Sequence, residues 1–230
     1  MSGEMISVTT AEGSMSAYQA LPENGSGPGL IVIQEVFGVN PYIQETADQY
    51  AAAGFSVLAP DLFWRLEPGV QLDPNKEEEF NRGIELMQEF DQQKGIADIQ
   101  ASISLLRGHA SCTGKVGVVG FCLGGRLAYM AAADTDTDAA VSYYGVGIET
   151  LLDRSSSISV PTLLHIAEED GFVPKDAQQM IVEGLAKPPF DVHVYPGVDH
   201  GFARHTGMHF DAAASALANE RSLALLKQSL

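Results

Sequence analysis

Residues 115–126, KVGVVGFCLGGR, constrain the fold of this chain more than any other stretch. The apolar run from Val116 to Val119 is short, β-branched and stopped by glycine, which reads as a buried strand. Beyond it Leu127, Ala128, Tyr129, Met130 and Ala131 have the composition of a helix. Between them stands Gly120-Phe121-Cys122-Leu123-Gly124, the G-x-C-x-G spacing of a strand–turn–helix junction with a nucleophile on a tight turn. Gly120 and Gly124 have no Cβ, so strand and helix can approach closely there. Cys122 is then expected over the carboxyl end of the sheet. The helix opening at Leu123 aims its free N–H groups and positive dipole end at the thiol, which favours thiolate. Taken singly, the pattern also fits a cysteine that is merely a small buried apolar residue. The rest of the chain decides between the two.

Further strands are expected over residues 6–10 and 15–20, turning at Glu12-Gly13, and over 30–33, 55–59, 139–144, 160–167 and 192–195. Helices are expected from Asn40 and Pro41, as N-cap and N1, to about residue 53, then over 76–90, 95–109, 174–185 and from 211 to the end. Residues 62–75 are too aromatic for a plain linker and predict an ordered loop folded over something. Strands and helices alternate from residue 30 onward. This favours a mostly parallel central sheet with helices on both faces, in one domain over residues 1–230.

A net charge of −17 argues against nucleic acid and anionic membranes as partners, and leaves a small molecule. No run approaches 18 apolar residues, and the start MSGEMISVTT lacks the basic and apolar regions of a signal peptide. The two cysteines, Cys112 and Cys122, flank one extended strand, so they should lie ~20 Å apart as free thiols in a reducing, cytoplasmic compartment. No metal-ligand spacing is present, and neither metal nor cofactor is expected.

Two later strand ends carry chemistry. One gives Glu168-Glu169-Asp170-Gly171-Phe172-Val173-Pro174, the other Val198-Asp199-His200-Gly201-Phe202. Nucleophile, acid, histidine is the chain order of the α/β-hydrolase fold, whose strand ends share one edge. Cys122, Asp170 and His200 can therefore converge. Histidine can hold a thiolate and protonate a leaving group, an acid behind it fixes its tautomer, and backbone N–H groups after Cys122 and after Glu35 can hold an oxyanion. Three acids compete for the acid role; Asp170 is favoured by its place before Gly171-Phe172-Val173-Pro174. His165 and His193 fall inside strands and read as sheet residues, while His109, His205 and His209 read as surface or loop.

Together, Gln34-Glu35-Val36-Phe37-Gly38, Ala59-Pro60-Asp61-Leu62, Gly120 to Gly125, Tyr143-Tyr144-Gly145, Glu169-Asp170-x-x-Val173-Pro174 and His200-Gly201-Phe202 resemble the dienelactone hydrolase (carboxymethylenebutenolidase) family. The resemblance covers nearly the whole chain. It implies a Cys122–His200–Asp170 triad, oxyanion donors at the N–H groups of Val36 and Leu123, and Arg204 as a holder of substrate carboxylate. It also implies that Glu35 pairs with the cysteine system at rest and takes the thiol proton when substrate binds. Phe37, Trp64, Tyr144, Phe172 and Arg82 complete the candidate substrate contacts. This chain departs from the family at Phe80, Ile84, Met87 and Gly201. Arg82 stands two positions from the family's second arginine, a rotation of ~200° on a helix. The pocket is therefore expected to be more apolar than the family's.

The expected activity is hydrolysis of a small lactone or ester through a cysteine acyl-enzyme, by a monomer or weak homodimer. A carboxylesterase or thioesterase on a more apolar substrate, and a non-enzymatic binding or redox-sensing protein using Cys122, stand as alternatives. Loss of Glu35 is expected to slow acylation and spare folding.

Overall fold

The computed structural model describes residues 3–230. Eight strands form one sheet in the order β1-β2-β4-β3-β5-β6-β7-β8. β1 (Glu4–Thr10) and β2 (Gly13–Ala20) form the antiparallel hairpin expected around Glu12-Gly13, and β2 runs antiparallel to β4 (Ser56–Pro60). From β4 onward all neighbours are parallel: β3 (Gly27–Ile33), β5 (Cys112–Phe121), β6 (Ala139–Tyr143), β7 (Thr162–Ala167) and β8 (Phe190–Tyr195). Every residue of β4, β6 and β7 is buried, as continuous apolar runs covered on both faces require. β5 begins four residues before Val116, because Cys112 pairs with Gly27 before a register shift brings Val116 opposite Gly29.

Six α-helices connect the strands. α1 (Pro41–Ala52) starts where the Asn-Pro pair places it: Asn40 Oδ1 accepts the Ile43 N–H at 3.2 Å. Asn40→Ala should cost about 1 kcal/mol in urea unfolding, and an unchanged midpoint would show the cap to be idle. α2 (Glu77–Glu89) and α3 (Gln92–Arg107) are separate because Asp91 turns its carboxylate back to cap α3 at the Gln93 and Lys94 N–H groups. α4 (Leu123–Asp134), α5 (Lys175–Gly184) and α6 (Ala212–Ser229) follow. A 3-10 helix over Ile148–Ser157 was not expected; its three-residue turn leaves no 3.6-residue apolar period to read.

Consecutive residues of β6 show that helices cover both faces. Tyr143 reaches α6 through Asn219 and Ser222, at 2.7 Å each, while Ser142 lies against Gly125 of α4. Neighbouring strand residues point to opposite faces, so α4 and α6 sit on opposite sides of the sheet. The parallel strands β3, β5, β7 and β8 all end at one edge. They deliver Glu35, Cys122, Asp170 and His200 there, the last from the loop after β8.

Candidate active site

The turn after β5 is as tight as its glycines require. A Cβ on Gly120 would lie 1.9 Å from the Gly124 carbonyl oxygen, and one on Gly124 would lie 2.4 Å from that of Ile33. Cys122 sits between them at φ 56°, ψ −117°, a backbone state that costs a non-glycine residue about 1–3 kcal/mol. The turn is pinned from both sides. The Cys122 N–H donates to Tyr143 O at 3.0 Å, and the Cys122 carbonyl accepts from the Gly125 and Arg126 N–H groups. Cys122 is thereby raised out of strand geometry onto the N-terminus of α4, with 9% of its surface exposed.

His200 lies in the loop after β8, just before Gly201 at φ 79°. Its Nδ1–H donates to Asp170 Oδ2 at 2.8 Å, and the other Asp170 oxygen accepts the Phe172 N–H at 2.8 Å. Of the three competing acids, Asp170 is therefore the one on the imidazole. Glu168 instead accepts from the Gly197 N–H, and Glu169 pairs with Lys175 at the surface. Tyr144 and Phe172 meet the imidazole edge-on from 5.0 and 4.8 Å. Burial works against a charged imidazole here. The charge of Cys122 and the hydrogen bond to Asp170 outweigh it and raise the His200 pKa from 6.5 to about 10.

The folded chain thus holds this proton more tightly than the unfolded chain. The stabilisation is complete below pH 6.5 and is lost as pH rises toward about 10. Urea unfolding across that window should show falling stability. Cys122→Ala should flatten the decline, because the larger favourable charge is gone; an equally steep decline would mean that Cys122 does not hold the proton.

Glu35, fully buried after β3, accepts with both carboxylate oxygens from Arg204 Nη1, at 2.9 Å each. Arg204 is itself 91% buried by its 9% exposure, and its guanidinium stands 5.3 Å from the Phe37 ring. Burial opposes its charge, and Glu35 more than restores it. Its Nε is buried with no protein partner. The resemblance implies a resting pair between Glu35 and the cysteine system; here the carboxylate rests on Arg204, the full cation that the 203–210 loop brings beside it. That pair also revises the expected effect of removing Glu35. Glu35→Ala would leave Arg204 buried without a counter-charge, and breaking such a pair costs about 3–5 kcal/mol, measurable by urea unfolding. A wild-type midpoint would show that water or movement compensates.

Cys122, His200 and Arg204 open on one cavity of about 410 Å³. Val36, Phe37 and Phe172 line it with them, as does the α2 face of Phe80, Ile84 and Met87. Among the described residues no hydrogen bond takes up the Val36 or Leu123 N–H, so both donors are free. Three expected contacts lie elsewhere. Arg82 points away from the cavity to Glu67 and Glu85, as its rotation from Phe80 requires. Trp64 donates from Nε1 to Asp98 at 3.0 Å under the Arg65 guanidinium, so its loop packs on α3. Tyr144 stands behind His200 and does not line the cavity.

Pro74 and Asn75, at the end of the 62–75 loop expected to fold over something, also line the cavity, and Glu77, Val146, Met208 and His209 do so with no sequence signal. Several arrive because the 203–210 loop is tied back at both ends of its reach. The Asp211 N–H donates to Phe202 O, and Asn75 Nδ2 donates to Thr206 O. His209, read as a surface residue, is exposed but bonds the His200 carbonyl through Nδ1 at 3.2 Å. His165 is a satisfied sheet residue between Tyr195 and Ser222. Both cysteines are free thiols. Among the described residues no group of three or more His, Cys, Asp or Glu side chains could hold a metal, and no helix is long and apolar enough to cross a membrane.

The pattern of the dienelactone hydrolase family matches residues 15–230. A carboxymethylenebutenolidase of Pseudomonas putida is 40% identical over 225 residues, covering 97% of this chain and 95% of the relative. A protein of Azospirillum brasilense, named as a candidate carboxymethylenebutenolidase, is 46% identical over 222 residues, covering 95% of each chain. A crystal structure of a candidate dienelactone hydrolase from Klebsiella pneumoniae superposes with a TM-score of 0.86 at 27% identity, covering 98% of both chains. The elbow at Cys122, the eight-stranded sheet and these likenesses place the chain in the dienelactone hydrolase family, α/β-hydrolases acting on ester or lactone bonds.

Proposed function

We propose that the chain, as one catalytic domain, hydrolyses a small lactone or ester through a thioester on Cys122, with His200 and Asp170 completing the triad. The observation that carries the reading is that His200, bonded to Asp170 at 2.8 Å, lines the same cavity as Cys122. The thiolate attacks the substrate carbonyl, and the oxyanion forms between the N–H groups of Val36 and Leu123. The tetrahedral centre collapses by expelling the alkoxide or enolate oxygen, which takes the proton from His200 Nε2. In a lactone the leaving oxygen stays tethered to the acyl group. Neutral His200 then removes a proton from water, which attacks the thioester. The acid leaves, and the thiolate–imidazolium pair is restored. Asp170 keeps the imidazole oriented throughout.

The Arg204 guanidinium lines the cavity with Cys122 and His200, where it can meet an acceptor oxygen of the substrate. An acceptor that draws the guanidinium away from Glu35 frees a carboxylate to remove a thiol proton wherever Cys122 is protonated. Two free thiols support a reducing, cytoplasmic setting.

The test is a panel of lactones and p-nitrophenyl esters, quenched with acid and followed by mass analysis of the Cys122 peptide. Acyl mass on Cys122 is expected early in turnover. Turnover with the acyl group on another residue, or on none, would overturn the assignment.

A further inference from the structure

We propose that the substrate carries an apolar acyl group of alkyl-chain or phenyl size, lying along the Phe80–Ile84–Met87 face of α2, where a carboxylate at the end of that chain is rejected. The proposal rests on the cysteine-hydrolase reading above. α2 buries only Gly83 and Leu86 against the protein. Phe80, Ile84 and Met87 stand at i, i+4 and i+7, one helix face, and line the cavity partly buried, with Phe80 and Met87 also packed against the core. The apolar wall continues at the mouth into Phe172 and Met208, 51% and 82% exposed. Apolar side chains left partly wet around a concave site gain burial when an apolar ligand covers them.

Charge points the same way. Arg204 is the only Lys or Arg among the described lining residues, and both Glu35 oxygens already rest on it. Besides Arg204, the titratable residues lining the cavity are Cys122, His200, His209 and the exposed Glu77. A carboxylate at the far end of an acyl chain would lose water beside Phe80, Ile84 and Met87 and meet Glu77 in place of a cation. The chain's net charge of −17 adds to that repulsion. A negative charge along α2 therefore finds no cation beside it.

The test uses p-nitrophenyl acetate, butyrate and hexanoate, with the p-nitrophenyl half-ester of adipic acid as the hexanoate analogue ending in a carboxylate. In the wild-type protein kcat/KM should rise with chain length, by up to roughly fourfold per methylene. The adipate half-ester should fall at least roughly tenfold below hexanoate. Ile84→Asn should flatten the length dependence, and Phe80→Arg should narrow the gap to adipate by supplying a cation. A flat wild-type series, or adipate equal to hexanoate, overturns the proposal whether or not the variants fold. Acyl mass on Cys122 from the acetate separates the two failures. Mass present with a flat series sinks only this proposal; turnover without it sinks the cysteine reading as well.

Discussion

Replacing Cys122 by alanine will lower kcat/KM on an activated ester by on the order of 10⁴-fold or more, while leaving the chain folded. The size follows from what one side chain does in a nucleophile–base–acid unit. Removing the nucleophile disables the whole unit, and only binding and oxyanion donors remain. Folding is spared because cysteine and alanine both carry a Cβ, so alanine inherits the same strain at φ 56°. The thiol also supports no hydrogen bond on which the turn depends; those run through the Cys122 backbone. Steady-state rates with a urea midpoint measured beside them check both halves. The same variant should lower the His200 pKa, since burial would then face Asp170 alone, and the imidazole signals can be followed by NMR across pH. Turnover within tenfold of wild type would end the role proposed for the thiol.

Gly120→Ala should remove the folded protein altogether. Its Cβ would fall 1.9 Å from the Gly124 carbonyl oxygen, and Gly124 cannot retreat, because its own Cα faces the Ile33 and Gln34 carbonyls. Backbone meets backbone on both sides, so no side-chain rotation relieves the clash. A cost above about 4 kcal/mol is expected, a large share of the 5–15 kcal/mol that holds a typical domain together. Gly171→Ala is the control: nothing lies within 4 Å of the added methyl, and a change within about 0.5 kcal/mol is expected. Expression yield, circular dichroism and unfolding midpoints read the contrast. A soluble Gly120→Ala protein with a wild-type midpoint would show that the elbow can open.

The elbow, the strand runs and the Asn40 cap were legible because each depends on neighbours within a few positions. Three valines at 116, 118 and 119, stopped by Gly120, describe β5, and Asn40-Pro41 describes the start of α1, whatever the rest of the chain does. The acid next to His200 was only partly legible. Glu168, Glu169 and Asp170 are chemically similar, and their separation rests on how the loop meets Val198, Gly197 and Lys175. Trp64 misled for a related reason: an aromatic residue in a long loop says that the loop packs, without saying on which partner. Asp98 and Arg65 decided that it packs on α3.

The Glu35–Arg204 pair spans 169 residues, and nothing local joins the two. Each is a buried charge that needs a partner, because an unpaired charge in the interior is too costly to keep. Which partner it takes depends on which loop ends meet at the sheet edge, and on how the 203–210 loop folds back between Phe202 and Asp211. The apolar cavity wall has the same origin. The sequence marks Phe80, Ile84 and Met87 as one helix face, but only the docking of α2 decides whether that face meets core or empty space. Local order is written in short-range sterics and hydrogen bonds. Convergence is written in burial shared across the whole sheet, and becomes visible only once the strands are in place.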